Sequence, residues 1–127
     1  MATMNDIGYW ETLISRCLCR FFLLHSLRQK PMHGYELGRS IARDCSGCCH
    51  PSDAMIYPTL HELLDGGYIE CDTKSQGSRK RKVYTLTEKG LESYAAAAEA
   101  WEKAIPYLME ATAASGTDKE VREEEEQ

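Results

Sequence analysis

Lys74-Ser75-Gln76-Gly77-Ser78-Arg79-Lys80-Arg81-Lys82-Val83-Tyr84-Thr85-Leu86-Thr87-Glu88-Lys89-Gly90 is the stretch from which the rest of this chain can be read. It places five cations at Lys74, Arg79, Lys80, Arg81 and Lys82, and no acid interrupts residues 73–87. The whole 127-residue chain nevertheless carries a formal charge of −5. A cationic segment on an acidic body is a local device, and its complement is a polyanion such as DNA.

Working outward, Ile69, Cys71 and Thr73 alternate with Glu70 and Asp72, the period of a half-buried strand. Residues 83–86 read as a second strand, and the polar, glycine-containing connection predicts a hairpin with a cationic tip. Upstream, Ile56, Leu60, Leu63 and Leu64 recur at helical spacing. Pro51-Ser52-Asp53 predicts the start of that helix, with Ser52 or Asp53 as cap, and Gly66-Gly67 predicts its end. A shorter helix is expected over residues 34–43, with Leu37, Gly38 and Ile41 inward. A long one is expected over residues 9–27, ended by Lys30-Pro31 because proline disfavours helix in the residue before it. Its apolar band (Trp10, Leu13, Ile14, Cys17, Leu18, Phe21, Phe22 and Leu24) is wider than one side of a small domain covers, so part of it is expected to meet another subunit.

Downstream, Thr87-Glu88 opens a last helix, with the acid at its positive end. There Leu91, Tyr94, Ala98, Trp101, Ile105 and Leu108 form a heptad seam suited to helix-on-helix packing. A core helix of one chain gives the same pattern, and Pro106 is expected to bend it. Residues 116–127 carry six acids and two bases and read as a solvated, disordered acidic tail. The expected organisation is a winged helix-turn-helix with an N-terminal helix over 1–86, a dimerisation helix over 87–115 and the tail over 116–127. The fold class is α+β and mostly α, with the third helix in the major groove and the hairpin alongside.

Three motifs then carry a resemblance. His33-Gly34-Tyr35-Glu36-Leu37, Ile56-Tyr57-Pro58-Thr59-Leu60 running on to Leu64-Asp65-Gly66-Gly67-Tyr68, and the quoted stretch from Gly77 to Gly90 occur in an order similar to that of the PadR family of transcriptional regulators. The likeness covers roughly residues 16–112 and is to the shorter subfamily with a single C-terminal helix. It implies a homodimeric DNA-binding protein, mostly a repressor, that leaves operator DNA when an effector or stress signal arrives. Typical wings carry a proline after the first glycine-arginine pair, where this one has Gly77-Ser78-Arg79-Lys80-Arg81-Lys82.

The candidate DNA contacts are Ser52, Tyr57 and His61 on the third helix and Lys74, Arg79, Lys80, Arg81 and Lys82 on the wing. Tyr57 reads equally as a packing residue and His61 as an ordinary exposed histidine. Asp53 repels phosphate and serves better as a cap.

Cys45, Cys48, Cys49 and His50 put four metal donors within six residues, just before the third helix. Zinc or another thiophilic metal favours four such ligands, but adjacent Cys48 and Cys49 do not easily converge on one ion. Buried cysteines also pack as small hydrophobes, the reading expected for Cys17 and Cys71. No cofactor is required by any of this. A second effector class follows from Tyr9, Trp10, Tyr94 and Trp101, which make either an aromatic pocket for a flat organic molecule or simply the dimer core. The resemblance implies phenolic or multidrug-like ligands for some relatives.

No segment is apolar enough to span a bilayer, the run over residues 17–24 being broken by Arg20, and the start does not read as a secretory leader. A reducing cytoplasm is therefore expected, with thiols rather than disulfides. Catalysis is not expected: Cys49 and His50 are neighbours, but no third orienting group or phosphate loop accompanies them. The alternative to a DNA-binding regulator is a winged-helix protein-interaction module without DNA binding.

Overall fold

The computed structural model describes residues 3–45 and 52–126, with their side chains except at 76 and 116–126. The elements run α1 (Ile7–Gln29), β1 (Met32–His33), α2 (Gly34–Asp44), α3 (Asp53–Asp65), β2 (Ile69–Gln76), β3 (Arg79–Leu86) and α4 (Glu88–Glu126). The strands form one antiparallel sheet in the order β1-β3-β2. This is the winged helix-turn-helix expected from the sequence. Among the described residues no helix is long and apolar enough to cross a membrane.

The core gathers one face of each element: Leu23, Leu27, Leu37, Ile41, Ile56, Leu60, Leu63 and Ile69 are all buried, with Met32 and Tyr84 closing it from the sheet. Buried Ser26 and Ser40 share a hydrogen bond of 2.9 Å where α1 crosses α2, so neither hydroxyl is left unsatisfied. Lys30 ends α1 in extended geometry (φ −168°, ψ 159°), the region that Pro31 imposes on it. α3 ends in a Schellman pair, Tyr68 N–H to Leu63 O at 2.9 Å and Gly67 N–H to Leu64 O at 3.0 Å.

Several expectations change. On α1 the buried face carries Cys19, Leu23, Leu24 and Leu27, whereas Cys17, expected to pack, is exposed. Trp10, Leu13 and Ile14 are exposed with it. The band is wider than this domain covers, and the covered part lies one step round the helix from the part expected. Met55 of α3 also packs partly against the core.

The hairpin also differs. The ladder continues to the pair Gln76↔Arg79, so Lys74 and residues 79–82 lie on paired strands and not in a loop. The turn is Gly77-Ser78 alone, with Gly77 at φ +62°, the positive φ that a two-residue turn needs at its first position. β1 was not anticipated. It is two residues long and pairs Met32 with Tyr84 and His33 with Val83.

The chain divides into two compact units, Met1–Tyr94 and Ala95–Gln127. The boundary falls inside α4 and not at the expected break after residue 86, because the first turns of α4 are fastened to the first unit. Thr87 Oγ1 lies 2.8 Å from Gly67 O and 3.0 Å from Tyr68 O, and Lys89 Nζ donates to Gly66 O at 2.6 Å. Helical geometry also continues through the segment expected to be a disordered tail. Its Glu, Lys and Arg residues are good helix formers, so low hydrophobicity does not by itself break the helix.

Candidate nucleic-acid interface

The site is built where α2, α3 and β3 meet. His33-Gly34-Tyr35-Glu36 starts α2 as a capping box: Glu36 N–H donates to His33 Nδ1 at 3.4 Å, and His33 N–H donates to Glu36 Oε1 at 3.4 Å. Nε2 of the same ring lies 3.0 Å from Glu36 Oε1. Arg81 Nη1 sits 3.2 Å from the same Nε2. The Arg81 guanidinium thus stands against the edge of the His33 ring.

Burial pushes the Glu36 carboxyl up, but the His33 backbone hydrogen bond and the charges of His33 and Lys30 outweigh it, holding it below the ordinary carboxylate value. Tyr57, 44% exposed, stands over Gly34: a β-carbon there would meet its hydroxyl at 3.1 Å. β1 pairs with β3 only as far as Val83, so the β3 edge over residues 79–82 has no β1 partner. There a groove of about 350 Å³ opens, lined by His33, Gly34, Tyr35, Tyr57, Arg81, Lys82 and Tyr84. Burial, with Cys71 and Tyr57 nearby, raises the Tyr84 phenol above its ordinary value.

The register sorts the wing cations by face. Lys74 lies opposite Arg81 and shares a face with Arg79, whereas Lys80 and Lys82 point to the other side, in line with buried Tyr84. Among the described residues none of these five cations is paired with an acid. On α3, Tyr57 and His61 are one turn apart and exposed, with Ser52 exposed at the N-cap. Ser52 makes no side-chain cap bond; only its carbonyl accepts, from Met55 and Ile56 N–H at 2.9 Å. Tyr57, Arg81 and Lys82 thus line one groove, with Ser52 and His61 farther along α3 and Arg79 and Lys80 farther out on the wing. Tyr35 and His33 were missed by the sequence reading. The signal was present in the His33-x-x-Glu36 spacing, with histidine in place of the usual hydroxyl or carboxylate cap.

The other candidates fall elsewhere. Cys45 is 5% exposed within the core cluster, and Cys48, Cys49 and His50 lie outside the described residues. Among the described residues no three His, Cys, Asp or Glu side chains gather as a metal site. Tyr9 and Trp10 form an edge-on pair, centroids 5.5 Å apart, near the start of α1. Tyr94 packs about three turns farther along α1, stacked on Phe21 at 5.4 Å and bonded through its hydroxyl to His25 Nδ1 at 2.8 Å. Within this unit the aromatic set is therefore not one pocket, and Trp101 belongs to the second unit.

The sequence profile of the Transcriptional regulator PadR-like family matches residues 23–96. The Negative transcriptional regulator PadR of Bacillus subtilis (strain 168) is 31% identical over 72 residues, covering 56% of this chain and 40% of that protein. The chain thus spans about two fifths of that relative's length. Among solved structures, a PadR family transcriptional regulator from Eggerthella lenta DSM 2243 aligns with a TM-score of 0.70 at 25% identity, over 82% of this chain and 90% of that one. Bacillus subtilis PadR in complex with operator DNA aligns with a TM-score of 0.55 at 29% identity, over 59% and 43%.

Proposed function

This chain belongs to the PadR-like family of transcriptional regulators, and from that premise we propose that it is a homodimeric repressor that binds double-stranded operator DNA. Residues Ser52, Tyr57 and His61 of α3 read base edges in the major groove, while Lys74 and residues 79–82 of the wing hold backbone phosphates. The observation that carries this reading is the wing itself: five cations, none paired with an acid among the described residues, two of which, Arg81 and Lys82, line a groove with Tyr57 of α3. The relative named as a negative regulator, and the one solved with operator DNA, support the same direction.

Two apolar stripes, one on each unit, support the dimer. On α1, Ile7, Trp10, Ile14 and Cys17 follow helical spacing and are exposed; on α4, Ile105 and Leu108 of the seam are exposed. Release comes from an effector acting on either the Cys45–His50 segment, through a thiophilic metal or thiol oxidation, or an aromatic surface of the dimer. Replacing Cys45, Cys48 and Cys49 with serine separates the two, since only the first mechanism loses its response.

Selection of bound duplexes from a random-sequence pool tests the function. The expected product is a two-fold symmetric site with half-sites about 10 bp apart. Recovery of unrelated sequences from a protein that binds the pool would leave a non-specific binder and end the operator reading.

A further inference from the structure

We infer that DNA contact continues from the wing onto α2, where Arg39, laid on the ring of Tyr35, takes a backbone phosphate beside the one held by Arg81; this rests on the DNA-binding reading above.

The contacts run without a break. Arg81 Nη1 is 3.2 Å from His33 Nε2, the His33 and Tyr35 rings stack at 6.4 Å and 15°, and the Arg39 guanidinium carbon lies 5.7 Å from the Tyr35 centroid. Tyr35 is 70% exposed, so its ring contributes little to the core. Its face holds the guanidinium in place through the ring quadrupole without neutralising it.

The neighbouring cations single Arg39 out. A second groove of about 450 Å³ on this side of α2 is lined by Lys30, Met32, Glu36, Arg39, Ser40 and Arg43. Lys30 pairs with Glu36 and Arg43 with Asp44, each at 3.5 Å. Glu36 is further engaged by His33 at 3.0 Å. Among the described residues Arg39 has no acid partner. An exposed, oriented and uncompensated guanidinium in line with a cationic strand edge is complementary to a strand of phosphates.

Phosphate contacts are independent of sequence, so the test needs no operator. Anisotropy of a labelled duplex of about 30 bp, about three helical turns, is measured across a salt series for wild type, Arg39→Gln, Arg39→Lys, Arg81→Gln and Lys103→Gln. Arg39→Gln is expected to reduce the log–log salt slope by about 0.9 per protomer, or about 1.8 for the dimer, so that over a fourfold rise in salt the wild type loses about 12 times more affinity than the variant. Arg81→Gln is expected to do the same, Arg39→Lys to keep the wild-type slope, and Lys103→Gln, an equal loss of charge on α4, to change nothing. An Arg39→Gln slope equal to wild type, with Arg81→Gln reduced, overturns the α2 contact and leaves the wing intact. Wild type that fails to bind at low salt, or binds without a slope, overturns DNA binding altogether and this contact with it.

Discussion

Replacing Gly90 with alanine sets helix propensity against packing, and the structure says which wins. Gly90 is the third residue of α4, where alanine favours the helix by at most about 1 kcal/mol. The added β-carbon, however, would stand 2.1 Å from Tyr68 O and 2.6 Å from Leu86 Cδ1. The carbonyl cannot swing aside, because it accepts from Thr87 N–H at 3.2 Å and lies 3.0 Å from Thr87 Oγ1. The first turn of α4 must lift instead, stretching these bonds and the one from Lys89 Nζ to Gly66 O at 2.6 Å. Overpacking of this kind costs about 1–3 kcal/mol, and each weakened hydrogen bond adds about 1 kcal/mol. A net loss of about 2 kcal/mol, or about 8–16 °C in Tm for a domain near 100 residues, is expected by circular dichroism at fixed protein concentration. Gly8→Ala is the matched control: its β-carbon meets nothing within 4 Å, so stability should hold or rise slightly. A Gly90→Ala protein as stable as wild type would refute the close approach.

Tyr94→Phe keeps the stack on Phe21 but loses the bond to His25, and thermal melting should show a loss of about 0.5–1.5 kcal/mol. Glu36 is depressed in the fold, so its stabilisation is complete above the unfolded value and lost as pH falls through the folded one. Below about pH 4.5 the wild type should therefore lose stability more steeply than Glu36→Gln, and parallel Tm-versus-pH curves would contradict this. Combined Arg79→Gln and Lys82→Gln should weaken DNA binding evenly across sequences and flatten the salt slope by about 0.9 each per protomer. By contrast, Tyr57→Phe and His61→Ala should alter which sequences are selected and leave the slope nearly unchanged, as read by anisotropy on matched and mismatched duplexes.

What the sequence made legible are features with a local cause. Lys30-Pro31 and Gly66-Gly67 stop helices by backbone chemistry, and Ile69 and Cys71 betray a strand by alternation. β1 has no such mark, because two residues hold no period and only pairing with Tyr84 and Val83 makes them a strand. The outer wing is wet on both faces, so no apolar alternation announces that Lys74 and Arg79 belong to the ladder. Periodicity marked α1 as a helix with a broad apolar band but left out Cys19, Leu23 and Leu27, because which edge the domain covers depends on α2 and α3. The candidate DNA contacts divide the same way. The wing cations stand out by charge alone, whereas Tyr35, His33 and Arg39 acquire meaning only once α2 lies against β3.

DNA binding through the wing is tested most directly by the affinity of the wild-type protein for duplex DNA as salt is raised. The logarithm of the association constant should fall linearly with the logarithm of salt, with a slope of several units and a wing limit of about −4.5 per protomer if all five cations reach phosphates. Absence of binding at the lowest salt, or binding indifferent to salt, would contradict it and give the winged fold a protein partner instead.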